Sequence, residues 1–147
     1  MPTPYARWQY IFVASAARTT TAASSVCTMP DDIIGGLFTL DVTSVGSATT
    51  PTLDVAITVT PDDTNYYVVS RWAQVTAASK LSKNVNFLPF LQAATEVTHA
   101  YTGGVLTANF PMSRKFGFYW TLGGTSPTIT FAITFIGYRL ATLGTGV

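Results

Sequence analysis

The sequence predicts an all-β protein, an antiparallel β-sandwich of jelly-roll type with eight or nine strands. Three observations carry this. Apolar residues alternate with Thr, Ser and Ala at period two over long stretches. No segment shows the apolar stripe of an amphipathic helix. One strand pattern also occurs twice: Thr50-Pro-Thr-Leu-Asp-Val-Ala-Ile-Thr-Val59 returns as Ser126-Pro-Thr-Ile-Thr-Phe-Ala-Ile-Thr-Phe135. A Gly-containing turn precedes each copy, Gly46-Ser-Ala-Thr49 and Gly123-Gly-Thr125, and a β-rich run precedes each turn. The chain is therefore expected to contain two matching hairpins, from which a two-sheet sandwich can be built.

Met1-Pro-Thr-Pro4 opens the chain. Each proline fixes φ and drives its predecessor toward extended geometry, which predicts an extended arm over residues 1–10. A single sandwich domain over 7–147 follows. Its first strand runs from Arg7 to Ala14. Ser15 to Ser25 is rich in Thr and Ala, with a short strand expected at Ser25 to Met29. Asp31, Asp32, Gly35 and Gly36 mark a loop or a single helical turn. Leu37 to Val45 reads as a half-buried strand with Phe38, Leu40 and Val42 on its apolar face.

In the first repeat strand Leu53, Val55, Ile57 and Val59 face the core, and Asp54, Ala56, Thr58 and Thr60 the solvated side. Pro61-Asp-Asp-Thr-Asn65 is a turn, proline first and Asx side chains able to bond their own backbone. Asn65 to Val75 resumes a strand. Ala77 to Asn86, with Lys80 and Lys83, is either a loop or one short helix. Val85 to Leu91 reads as an edge strand, where Pro89 removes no needed ladder bond. Thr95 to Tyr101 is another short β candidate, closed by Gly103-Gly104. Lys115 to Leu122 and Pro127 to Tyr138 form the second hairpin, with Ile129, Phe131, Ile133 and Phe135 facing the core.

At 147 residues the chain is long enough to bury a core without disulfides or metal. Hydrophobic residues make up 48% and charged ones only 10%, against roughly 25% charged in an average domain. The net charge of +1 gives little repulsion between copies and favours self-association. Cys27, the one cysteine, forms no intrachain disulfide and reads as a buried small hydrophobe. Trp8 to Ala16 has the outline of a short signal peptide, but Gln9 interrupts it and its aromatic and β-branched content is that of a strand. No apolar run approaches the roughly 20 residues that span a bilayer, so no membrane partner is expected.

Reactive chemistry is sparse. His99 is the single histidine, sits in Thr-His-Ala-Tyr without a nucleophile motif, and reads as a strand-side residue. Glu96 is the single glutamate; Asp31/Asp32 and Asp62/Asp63 are neighbours in turns, and Asp62, Asp63 and Asn65 lack EF-hand spacing. Arg114-Lys115 beside Phe116, Phe118, Tyr119 and Trp120 reads as the flank of a strand and not as a nucleic-acid stripe. No catalytic residue, cofactor or metal ligand is therefore predicted. For carbohydrate stacking the aromatic candidates are Trp72, Trp8, Tyr66 and Tyr67; alternation puts at least one of the consecutive Tyr66 and Tyr67 in the core. For protein contact the expected residues are Pro4, Tyr5, Arg7, Trp8 and Tyr10, large amphipathic side chains on a stiff arm.

Leu40-Asp-Val-Thr43, Thr50-Pro-Thr-Leu-Asp-Val55, Trp120-Thr-Leu-Gly-Gly-Thr-Ser-Pro-Thr-Ile-Thr-Phe-Ala-Ile-Thr-Phe135 and Val13-Ala-Ser-Ala-Ala-Arg-Thr19 together resemble small β-sandwich structural proteins of tailed bacteriophages. The resemblance implies a non-enzymatic virion component. It would be a capsid decoration or cement protein on the outside of the head, a homo-oligomer, often a trimer, bound to the major capsid protein. Asp62-Asp-Thr-Asn-Tyr-Tyr67 departs from it, replacing an expected Gly-rich turn. The alternative from another class is a tail receptor-binding or carbohydrate-binding module.

Overall fold

The computed structural model describes residues 5–46, 49–86 and 113–140. Nine strands are present among them: β1 (Tyr5–Arg18), β2 (Ala22–Ala23), β3 (Cys27–Thr28), β4 (Ile33–Val45), β5 (Thr49–Val59), β6 (Tyr67–Arg71), β7 (Ser79–Asn86), β8 (Lys115–Thr125) and β9 (Ile129–Leu140). They form two antiparallel sheets, β1-β9-β4-β7 (sheet A) and β2-β8-β5-β6 (sheet B), with β3 also on β8. The predicted all-β sandwich is what the chain adopts.

The strand order explains the roll. β5 pairs with β6, β4 with β7, β2 with β8 and β1 with β9, all antiparallel. The chain is thus one long antiparallel ribbon whose tip is the β5–β6 turn. The ribbon wraps so that β4 meets β9 and β5 meets β8, which is a jelly roll. β2 and β3 together make one broken edge strand. Between them the Ser24 amide donates to the Phe118 carbonyl at 2.8 Å, and the Ser24 hydroxyl accepts from the Phe118 amide at 2.9 Å. A side chain there replaces a ladder carbonyl.

The two repeats are not hairpins. β4 and β5 lie in different sheets, as do β8 and β9, so each repeat is an arch that carries the chain across the core. Thr50 and Ser126, equivalent in the repeat and each before a proline, both hold positive φ, 49° and 52°. Left-handed geometry in a non-glycine residue costs about 1–2 kcal/mol, and its recurrence at both sites marks where the strand leaves its partner's plane. Gly124 turns at φ 95°, where a β-carbon would meet the Thr49 and Thr50 carbonyl oxygens at 2.7 and 2.8 Å. The Gly46 amide donates to the Thr128 carbonyl at 2.6 Å, so the two arches stack on each other.

Alternation places the core as expected. Leu53, Val55, Ile57 and Val59 on β5 and Ile129, Phe131, Ile133 and Phe135 on β9 are all buried, as are Phe38, Leu40 and Val42 on β4. Phe38 lies at the centre, its ring 5.0 Å from Phe135, 5.2 Å from Phe116, 5.4 Å from Phe118 and 6.0 Å from Phe12. At one end the Arg18 guanidinium covers Trp120 and Phe131 at 5.1 and 5.3 Å from the ring centres.

Several expectations are corrected. Asp54, Ala56, Thr58 and Thr60 are buried, not solvated, because β5 is an inner strand of sheet B and both its faces are covered. Gly35 and Gly36 belong to β4 and not to a loop; only Asp31 and Asp32 form the turn. The polar stretch from Ala77 is neither loop nor helix but leads into β7, an edge strand of sheet A whose polar residues alternate with Leu81 and Val85. The expected edge strand through Pro89 and the β candidate at Thr95 to Tyr101 lie outside the described residues.

Candidate interaction surfaces

The expected contact residues divide between two faces of one strand. β1 begins at Tyr5, opposite Leu140, so from that residue onward the arm is an edge strand of sheet A; Pro4 lies outside the described residues. Trp8 and Tyr10 turn inward. Their rings stack 5.9 Å apart, Trp8 meets Phe135 at 5.8 Å, and Tyr10 meets Phe12 at 4.9 Å. Both are half-buried against the core. Arg7 turns outward, where its guanidinium donates to the Gln9 side chain at 3.1 Å.

The outer face of sheet A is the first surface. Cross-strand partners share a face, so three rows follow from the register: Arg7–Tyr138–Gly35, Gln9–Ile136–Leu37–Asn84, and Ile11–Thr134–Thr39–Ser82. Ile11 is 57% and Tyr138 53% exposed; Ile136 and Leu37 are half-buried. Charges stand at the margins, Arg7 on one side and the Lys80–Asp41 ion pair, 3.5 Å, on the other. The expected contact residues Pro4, Tyr5, Arg7, Trp8 and Tyr10 do not include Ile11 and Tyr138, the two large apolar side chains exposed on this face. The signal was available, since alternation separates Arg7, Gln9 and Ile11 from Trp8, Tyr10 and Phe12.

The second surface lies on the outer face of sheet B. Thr58 pairs with Gly117, and Tyr119 with Ala23. With Ser24 and Tyr66 these residues line a groove of about 250 Å³. Of the stacking candidates, Trp72 does not reach it: that ring is buried, 6.0 Å from Phe118, and its amide donates to the Val55 carbonyl. Tyr66 and Tyr67 are both exposed, which corrects the expectation of a core tyrosine. Tyr66 sits in the turn before β6, where strand alternation does not operate.

The charged residues are engaged within the fold. Arg114 donates to the Pro30 and Ile33 carbonyls, both at 2.9 Å, and Lys115 to the Asp63 carboxylate at 2.6 Å. These contacts fit the strand-flank reading of the pair. In the β5–β6 turn the Asp62 carboxylate accepts from the Asn65 amide at 2.8 Å, the Asn65 side chain at 2.6 Å and the Thr64 amide at 3.1 Å. Among the described residues no three His, Cys, Asp or Glu side chains converge; His99 and Glu96 lie outside them. Cys27 is buried, and burial raises its thiol pKa.

A pH dependence follows from two carboxylates. The hydrogen bond from Arg139 lowers the Asp32 pKa, and the Asn65 amide lowers that of Asp62. A carboxylate held below its unfolded value stabilises the fold above that value, and the contribution is lost as pH falls through the folded one. Stability should therefore drop from about pH 4 downward. In thermal unfolding across that range the double variant Asp32→Asn/Asp62→Asn should lose less on acidification than the parent. Parallel curves for the two proteins would remove these groups as the cause.

Fold and surfaces together define a jelly-roll β-sandwich that offers a sheet face with charges only at its margins and, on the other sheet, a small groove. No protein-family model matches the chain, and no curated protein matches it. Among solved structures it is similar to the N-terminal endo-1,4-beta-D-xylanase 10B of Clostridium thermocellum, its CBM22-1 and GH10 modules complexed with xylohexaose. Identity is 14% and the TM-score 0.46, over 98% of this chain and 28% of that one. This chain thus spans little more than a quarter of that protein's length.

Proposed function

We propose that this chain is a non-enzymatic structural subunit of a virion, a capsid decoration protein that works as a homo-oligomer on the outer surface of the head. The observation that carries the assembly part is the outer face of sheet A. A sheet face with Ile11 and Tyr138 exposed, Ile136 and Leu37 half-buried and charges only at its margins matches the core of a protein interface, which is depleted in charge. A second copy of this chain is the occupant that fits. Net charge is +1, so copies approach without strong repulsion. The placement on a phage head rests on the sequence resemblance.

Sedimentation at micromolar concentration should give a particle heavier than one 15.7 kDa chain. The variant Ile11→Lys/Tyr138→Lys should associate at least about tenfold more weakly, since each apolar side chain contributes on the order of 1.5–3 kcal/mol when fully buried. A monomer throughout the micromolar range would overturn the assembly reading. Co-sedimentation with phage heads stripped of the protein tests the placement, and a chain that stays in the supernatant overturns it.

Of the aromatic candidates for the tail or carbohydrate-binding alternative, Trp72 is in the core, while Tyr66 and Tyr67 are exposed.

A further inference from the structure

The groove on the outer face of sheet B has a lining that selects its ligand. Tyr66, 51% exposed, forms one wall and Tyr119, half-buried, another. The floor is Gly117. A β-carbon there would lie 3.4 Å from the Thr58 hydroxyl and 3.8 Å from that of Ser24, so two hydroxyls converge over the space that the missing side chain leaves. The Ser24 hydroxyl already donates to the Ser25 carbonyl and accepts from the Phe118 amide. Thr58 is only 4% exposed, and its hydroxyl faces this groove.

We propose that this groove binds the pyranose ring of a neutral sugar. Among the described residues the lining contains no carboxylate, ammonium or guanidinium, so these residues offer nothing to a charged ligand. A purely apolar ligand would cover the Thr58 hydroxyl without offering it a partner. A pyranose has both required features: a C–H face that packs on tyrosine rings and hydroxyls that donate to and accept from Thr58. Size limits the ligand. Pockets for drug-sized molecules span about 300–1,000 Å³, and about 250 Å³ takes one ring or a chain end.

The proposal is independent of the virion reading, since it concerns the opposite sheet. Its test is two-dimensional amide NMR of the full chain with methyl glycosides of glucose, galactose, mannose, xylose and N-acetylglucosamine. At least one sugar should shift the Gly117, Thr58 and Tyr119 amides, with a dissociation constant in the millimolar range expected for a single small contact site. Tyr66→Ala and Gly117→Ala should each weaken binding at least tenfold. Tyr66 is exposed, and a methyl group at Gly117 meets its neighbours at ordinary contact distance, so both variants should keep the parent's melting temperature. Tyr66→Phe should retain most of the binding if the ring face is what the sugar meets. No shift at these amides with any sugar up to about 100 mM, well above millimolar affinity, overturns the proposal. So does binding that neither Tyr66→Ala nor Gly117→Ala weakens.

Discussion

Phe38→Ala should destabilise the fold by about 3–5 kcal/mol, the range for a large aromatic removed from a packed core. Phe38 stands on β4 in sheet A and reaches Phe116 and Phe118 on β8 in sheet B, as well as Phe135 and Phe12 on its own side. No part of its side chain is exposed. Four rings in two sheets would have to collapse together to close the space, and a close-packed interior relaxes only partially. At about 2–4 °C per kcal/mol for a domain of this size, the melting temperature should fall on the order of 10 °C. Tyr67→Ala, at an exposed edge position, should stay within about 0.5 kcal/mol. Equal losses for the two variants in urea denaturation would show that the aromatic cluster is not the centre of stability.

Gly36 and Gly137 should be equally intolerant of alanine, for different reasons that a mutant cycle can separate. They face each other across β4 and β9, and the Phe135 ring lies over the pair. A β-carbon on Gly137 would meet that ring at 2.3 Å, whereas one on Gly36 would meet the ring at 2.7 Å and, closer still, the Ile136 carbonyl of the main chain at 2.3 Å. Either substitution forces a shift and should cost more than about 3 kcal/mol, among the large values for point changes. Removing the ring should relieve Gly137→Ala the more, because the main-chain clash at Gly36 stays. Phe135→Ala/Gly137→Ala should be less destabilising than the sum of its single changes by about 1–3 kcal/mol, while Phe135→Ala/Gly36→Ala should show a smaller coupling. The same coupling in both cycles would mean that the strands move apart and that the ring is not the obstacle.

The legible part of this fold was local. Leu53, Val55, Ile57 and Val59, and their counterparts Ile129 to Phe135, were assigned to the core from spacing alone, and all are buried. The turn at Pro61 to Asn65 followed from the chemistry of Asp62, whose carboxylate binds the amides two and three residues on. The surfaces were less legible. Ile11 and Tyr138 could be read from alternation, but the groove joins Ser24, Thr58, Tyr66 and Gly117 from four separate stretches of chain. No spacing in the sequence announces that meeting.

By itself the sequence determined that the protein is built from strands, which side chains β4, β5 and β9 turn inward, and where the tight turn at the ribbon's tip falls. These properties depend on neighbours one to three residues apart. Tertiary structure alone decided that the repeats are arches and not hairpins, that β5 is buried on both faces, that Ala77 to Asn86 ends in a strand, and that Trp72 is core. The physical reason is that each of these depends on which distant strand supplies the hydrogen bonds. β5 takes them from β8 and β4 from β9, and only the rolled ribbon brings those partners together.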